Sequence, residues 1–461
     1  MINFFSDVIW KNGEDIPYNS DPLSFMYSIF IITGVLLVIF VSAFKLHLRA
    51  IPLKDFLNGI YISLPIGILG ASIFGKLGAS GDQWKIYMLF FFWEPGMSFF
   101  GSMLCGGTAA FLWLWHKSRY TKISIFVYAD CIVPNILLGQ SIGRWGNLFN
   151  HEILGREISD ANMSKITWLP NFIWHRLFYF HNLDTGETFE KLQFHEPLFL
   201  YESFATLLLW ILITFVIANL WKIINKKPWK KDPLNFPNLS NSIYQSEIPS
   251  YSTQVPIRYL KDKNGKVYLS RNWAWKKAYT LYEPQKALVN IEQRKIDESK
   301  IKLLQSREKY RNLTRKINQD IQKKKDNLIK GKISKNEFKI YKKDLFKNYR
   351  RELKRLKIEK NYFNSWVRRD SKNLYKLNNP YDYRIVNSGV LAGVYISGYT
   401  ILRFILDPFR NPYELTVKEN EILNYLFLTM FLTFGIAVII FAQFIAPKKW
   451  REEGWLYEKS Y

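Results

Sequence analysis

Arginines, asparagines and carboxylates at the ends of apolar runs are the groups in this chain with chemistry to offer. In "GRWGNLFNHEILG" Arg144, Asn147, Asn150 and Glu152 arrive among Gly143, Gly146 and Gly155, directly after the apolar run "CIVPNILLGQSIG". In "YTILRFILDPFR" Tyr399, Arg403 and Asp407 recur every four residues, on one face of a helix, with Arg410 just beyond. A guanidinium grips phosphate through a fixed fork of donors and stays charged, which suits an anionic headgroup at a membrane boundary. Asparagine amides donate and accept, so they match glycerol-type hydroxyls. Glycine lets backbone approach a ligand or another helix closely.

Each group also has a structural use. Arg144 with Glu152, or Arg403 with Asp407, can pair simply to make burial tolerable. Tyr27, Tyr201 and Tyr399 can be interfacial aromatics, and Asp130 and Glu202 helix-end or interhelical acceptors. The accumulation of polar groups near one membrane face favours a site. Cys105 and Cys131 both sit in apolar runs, as buried thiols rather than a disulfide framework.

The elements that carry these groups must cross a bilayer, which takes about 20 mostly apolar residues per helix. Seven runs qualify: 22–44, 56–75, 97–115, 123–143, 197–221, 386–406 and 422–445. Lys and Arg cluster after the first, third, fifth and seventh, so those ends are expected in the cytoplasm and the N-terminus outside. The polar, acidic start and the length of the first run speak for a retained helix rather than a cleaved signal peptide. Fold class is therefore expected to be all-α and polytopic, with an extracellular segment over 144–196.

The chain carries a formal charge of +25, unevenly spread. Residues 222–384 hold 43 of the 64 Lys and Arg and 16 of the 39 Asp and Glu, a net +27, leaving −2 elsewhere. Three regions follow: a membrane core over 1–221, a basic cytoplasmic insertion over 222–384, and a closing core segment with a basic tail over 385–461. Within the insertion, 222–284 shows little periodicity and reads as loop or loosely ordered chain. A helical hairpin is expected over about 285–360, stopped at Gly331 and restarted by a capping box from Ser334 to Glu337. Phe338, Tyr341, Leu345, Tyr349, Leu353 and Leu356 form an apolar stripe on its second arm. Such a unit can contact anionic lipid or stand as a solvated appendage. A nucleic-acid partner is not expected, because no reader module is present.

"GRWGNLFNHEILG" resembles the signature of the prolipoprotein diacylglyceryl transferases, Gly-Arg-x-Gly-Asn followed by Asn, Glu and Gly at these spacings. "WEPGMSFFGSML", "EPLFLYES" and "GVYISGYTILRFILDPFRNP" resemble three further segments of that family, and the resemblance covers roughly 20–221 and 385–448. It implies a seven-span inner-membrane enzyme. Such an enzyme moves the diacylglyceryl group of phosphatidylglycerol onto the lipobox cysteine of prolipoprotein signal peptides, releasing glycerol phosphate, with no cofactor and no metal. It implies Arg144, Arg403 and Glu152 as catalytic. It also implies Tyr27, Arg144, Asn147, Asn150, Gly155, Tyr399 and Arg410 as the phosphatidylglycerol site.

Four positions depart from the family pattern. Its histidine before Gly-Gly falls on Phe100, its His-Pro histidine on Glu196 with His195 one residue upstream, its span-six glutamate on Asp407, and its span-two arginine on Ser72. An imidazole base at position 100 is thus absent, and His151 and His195 are weak substitutes because nothing in the sequence fixes a partner for either. Two other readings use the same residues. A transporter also employs interrupted helices and midplane charge, though no internal repeat is visible. A degenerate core could instead anchor the basic region.

Overall fold

A computed structural model describes residues 21, 23–49, 51–76, 99–121, 123–179, 192–248, 257–278, 283–377, 381–415 and 420–446. The chain divides into two compact units. The first draws on Met1–Ile224 and Ile385–Gln443, and the second is built chiefly from Asn225–Arg384.

In the first unit, α1 (Met26–Leu48), α2 (Leu53–Lys76) and α3 (Phe99–Thr121) come first. Next, α4 (Ile125–Ile132) runs through a short 3₁₀ turn at Pro134 into α5 (Ile136–Phe149). A four-residue α6 (Asn171–Trp174), α7 (Leu198–Ile211) and α8 (Leu220–Ile224) follow. The unit closes, after the second unit's helices, with α13 (Val390–Leu406) and α14 (Glu421–Ile440). Six described stretches are long and apolar enough to span a membrane: Met26–Leu48, Leu53–Phe74, Ile125–Phe149, Leu198–Lys231, Val390–Phe409 and Glu421–Ile445. The run expected at 97–115 falls on α3, 23 residues long but outside those six. Its glycines, threonine and closing His116-Lys117 dilute its hydropathy.

Burial in this unit is inverted, as lipid-facing packing requires. Phe40, Leu208 and Leu426 are 69%, 63% and 67% exposed, while Ser42, Asn135, Ser141, Glu202 and Asn424 are buried. Close backbone approach and polar ties add to apolar clusters such as Leu137, Ile213, Leu391 and Tyr395 in holding the helices together. α1 packs on α5 where Gly34 meets Gly139, and a Cβ on Gly34 would come within 2.9 Å of the Gly139 carbonyl oxygen. Ser141 Oγ donates to Ser203 O at 2.9 Å and Ser203 Oγ returns a bond to Ser141 O at 2.8 Å, tying α5 to α7. The small-residue string of α3 packs likewise, Gly101 and Gly106 facing Gly70 and Gly67 of α2.

Asp130 sets the start of α13. Its two oxygens accept from Gly389 N and Ala392 N, each at 2.9 Å, which satisfies orphan donors of that helix inside the bundle. Asp130→Ala is expected to cost about 1–2 kcal/mol. Thermal unfolding in detergent checks this, and an unchanged midpoint would count against it.

The second unit holds a compact base and a long hairpin. α9 (Pro228–Lys231), an antiparallel pair of short strands, β1 (Leu260–Lys261) and β2 (Val267–Tyr268), and α10 (Arg271–Ala278) make up the base. The sequence reading of 222–284 as loop or loosely ordered chain is corrected at these elements, because aromatic packing supplies order where periodicity is missing. Phe236, Trp275 and Tyr383 are buried, with Trp275 stacked edge-on against Trp229 and Tyr383. Lys277 is buried among them and donates to Tyr259 OH at 2.9 Å.

The hairpin is longer than expected at its second arm: α11 spans Glu283–Ile329 and α12 spans Lys335–Leu377. Ser334 and Glu337 form the reciprocal cap, Glu337 N donating to Ser334 Oγ at 3.2 Å and Ser334 N to Glu337 Oε2 at 2.7 Å. Gly331 has φ of 70° at the turn. Ile296, Leu303 and Ile317 of α11 are buried, and the apolar stripe of α12 is its half-buried face.

Candidate functional site

Alternating helix directions bring five ends together. α1 and α7 begin, α5 and α13 finish, and α14 starts at one end of the bundle, each carrying a polar group there. Glu202, in the first turns of α7, is the hub. Its Oε2 lies 2.7 Å from Arg144 Nε, its Oε1 pairs with Arg410 Nη2, and Arg403 is a third electrostatic neighbour. Asp407 is a second hub. Its Oδ1 is ion-paired with Arg403 Nε at 2.7 Å and Arg410 Nε at 3.5 Å, and its Oδ2 accepts from Asn424 Nδ2 at 3.0 Å. Tyr399 contacts Arg144 and lies beside Arg403.

The remaining expected residues divide. Tyr27 neighbours both Arg144 and Glu152, and its backbone presses on α5 where a Cβ on Gly146 would come within 3.2 Å of Tyr27 Cα. Asn150 bonds the Glu152 side chain, and Glu152 is exposed. Asn147 is buried, its carbonyl accepting from Glu152 N at 3.0 Å. Gly155 belongs elsewhere. Its N–H donates to Glu196 O at 2.8 Å, and a Cβ there would meet Glu196 Cβ at 3.0 Å, so it serves the pairing of 155–158 with 194–196. Arg144 and Glu152 do not form the pair considered from sequence, since Arg144 is taken by Glu202.

Sequence reasoning named Glu202 only as a helix-end or interhelical acceptor, which agrees with its contacts to Arg144 and Arg410, and left out Asn424 and Glu414. Asn424 was visible only as a polar letter inside an apolar run. Glu414 lies between α13 and α14, and its Oε1 accepts from Ile153 N at 2.7 Å. Burial pushes its carboxyl above the ordinary range, and burial followed by that carboxylate pushes the Tyr179 hydroxyl up. Tyr179 OH donates to Leu154 O at 2.9 Å and accepts from Leu154 N at 3.1 Å.

Neither histidine considered as a substitute base reaches this cluster. His151 is buried, with Nδ1 3.0 Å from Phe178 O and Nε2 3.2 Å from Asp21 Oδ2. Burial alone would raise the Asp21 carboxyl, but the His151 bond and the Arg176 guanidinium hold it below the usual carboxylate range. His195 is buried against Tyr179, with Nδ1 3.1 Å from Gln193 O. The side chain of Phe100 lies outside the described residues, and Ser72 is fully buried.

Three arginines converge on Glu202 and Asp407 at an apolar boundary, with Glu414 a further carboxylate beside Arg410, whose Nη1 donates to Glu414 O at 3.2 Å. Guanidiniums gathered in this way are a match in sign and geometry for a phosphodiester. Among the described residues no group of three or more His, Cys, Asp or Glu is placed to hold a metal ion.

Comparison with known proteins points the same way. A family model described as prolipoprotein diacylglyceryl transferase matches residues 24–231, a stretch that contains Tyr27, Arg144, Asn147, Asn150, Glu152, Gly155 and Glu202. The phosphatidylglycerol--prolipoprotein diacylglyceryl transferase of Streptococcus equi subsp. equi is 30% identical over 213 residues, covering 45% of this chain and 71% of that protein. The protein of the same name from Malacoplasma penetrans is 32% identical, over 42% of this chain and 57% of its own length. That from Enterococcus faecalis is 29% identical, over 44% and 65%.

Proposed function

Since the chain belongs to the prolipoprotein diacylglyceryl transferase family, we propose that the cluster around Glu202 and Asp407 is where it holds phosphatidylglycerol during transfer. The protein is a multi-pass transferase of the bacterial cell membrane. It moves the diacylglyceryl group from phosphatidylglycerol to the lipobox cysteine of prolipoproteins, the first step of lipoprotein maturation.

The observation that carries the site is the convergence of three arginines at one end of the bundle. Arg144, Arg403 and Arg410 gather around Glu202 and Asp407, a cluster of guanidinium forks that suits a lipid phosphate. In the transfer the cysteine sulfur bonds to the glycerol carbon, the carbon–oxygen bond to phosphate breaks, and the thiol proton passes to solvent. The leaving group changes from a singly charged diester to a monoester approaching a double charge. Donors that gain strength as that charge grows lower the barrier itself. Arg403 and Arg144 act on the departing phosphate, and a nearby positive field also favours the thiolate over the thiol. Glu152, Asn150 and Tyr27 orient the glycerol end, and Asn147 fixes the backbone beneath them.

Reconstitution with phosphatidylglycerol and a lipobox peptide tests this reading. Release of glycerol phosphate and gain of a diacylglyceryl mass on the peptide are expected, and an unchanged peptide mass would sink it.

The site end is read as extracellular and the basic clusters as cytoplasmic, supported by the Lys and Arg that follow alternate spans. An even number of crossings must separate the far end of α1 from the far start of α4, and the packed α2–α3 pair supplies two. On this reading the C-terminus is cytoplasmic and α3 counts as the seventh span beside the six most apolar stretches. The insertion is read as facing anionic lipid, on its net charge of +27. Its two ends are clipped together, Asn225 Nδ2 donating to Arg384 O at 2.6 Å and Arg384 N to Asn225 Oδ1 at 3.0 Å. Replacing 232–380 by a short glycine-serine linker is therefore expected to keep transferase activity within a factor of about three. Loss of all transfer in a folded variant would instead favour the insertion as the working part.

A further inference from the structure

The turn after α5 is strained and anchored on two sides. His151 and Ile153 have φ of 52° and 57°, the left-handed region that disfavours side chains and β-branched ones most. Strain of that kind persists only where the surroundings over-determine the conformation. On one side the His151 ring spans Phe178 O and Asp21 Oδ2. Asp21 is itself gripped by Arg176 Nε at 2.8 Å and Leu23 N at 2.7 Å, and Arg176 donates onward to Phe172 O at 2.7 Å. On the other side Glu414 and Tyr179 take the backbone of Ile153 and Leu154. Between the anchors stands Glu152, exposed and beside Tyr27.

We propose that His151 is a positioning residue for transfer, its ring clamped between Asp21 and the Phe178 carbonyl so that the strained turn presents Asn150 and Glu152 to the arginine cluster. The inference rests on the site proposed above. Being 2% exposed, with both nitrogens engaged inside the protein, the ring has no path to a substrate proton. Its effect travels through the backbone, where a displacement of about 1 Å at the site costs up to about 100-fold in rate.

Two substitutions at one position separate the roles. His151→Ala removes the clamp and leaves a residue that resists positive φ, whereas His151→Gly removes the clamp and the resistance together. Transfer to a lipobox peptide is measured as kcat and KM for phosphatidylglycerol, with the pH profile and the melting midpoint in detergent. Alanine is expected to lower kcat by about 10- to 100-fold, and glycine is expected to retain at least about three times the alanine rate, with the pH profile unchanged in both. Equal loss in the two variants with a lost acid limb would make His151 a base and overturn the proposal. An unchanged kcat with only a lower melting midpoint would make it packing alone and overturn it equally. If neither variant accumulates, His151→Gln, which keeps a donor to Asp21, must outperform His151→Asn in kcat, and the reverse order refutes the clamp. Arg403→Ala, run in parallel, tests the site itself, since full activity there overturns the underlying reading whatever His151 does.

Discussion

Arg403→Ala is expected to lower kcat for diacylglyceryl transfer by about 100- to 1,000-fold, the effect of removing one preorganised donor from a developing anion. The loss belongs to chemistry more than to folding. Asp407, the partner that Arg403 leaves behind, keeps Asn424 at 3.0 Å and Arg410 at 3.5 Å, so its charge stays compensated. The melting midpoint should therefore move little while the rate collapses. Arg403→Lys is expected to fall between, because an ammonium restores the charge without the planar fork. Phe100→Ala stands as the control. Where relatives are expected to use an imidazole, this position has no proton to exchange, so its loss should leave kcat within a factor of about three. Near-normal modification of a lipobox peptide by the Arg403→Ala protein would remove the arginine cluster from the mechanism.

The sequence displayed the carriers of this site better than its wiring. Apolar runs of bilayer length located the starts of six stretches long and apolar enough to span a membrane to within four residues, while their ends were missed by as many as ten, at Leu198–Lys231. The i, i+4, i+8 spacing put Tyr399, Arg403 and Asp407 on one face, where they lie. Pairing was not legible, because it is decided by contacts between residues distant in the chain. Arg144 had a carboxylate eight residues on in Glu152, yet its partner is Glu202 on another helix. Gly155 looked like a ligand-facing glycine, but it admits the backbone of Glu196. His151 looked chemically tempting, and only the fold reveals Asp21, 130 residues away, against its ring. In the basic unit, regular period predicted the hairpin, whereas the base around Trp275 and Phe236 has no period to read.

The largest stability effect is expected at Glu202. Its side chain is 4% exposed and holds Arg144 and Arg410 directly, with Arg403 close by. Glu202→Ala takes the directly paired carboxylate from Arg144 and leaves Arg410 to Asp407 and Glu414, and uncompensated charge away from water costs roughly 3–5 kcal/mol when one partner of a buried pair is removed. Glu202→Gln keeps an acceptor oxygen of the same reach and should cost less. A generic packing defect would behave alike in every lipid. A phosphate site would not: with the carboxylate gone, the anionic headgroup becomes the best remaining counter-ion, and a ligand stabilises the folded state in proportion to how tightly it binds there. Phosphatidylglycerol is therefore expected to raise the melting midpoint of the Glu202→Ala protein more than that of the unaltered protein, while phosphatidylcholine, whose headgroup has no net charge, raises both alike. Equal stabilisation of both proteins by phosphatidylglycerol would mean that the arginines never meet a lipid phosphate, and that Glu202 exists only to neutralise them.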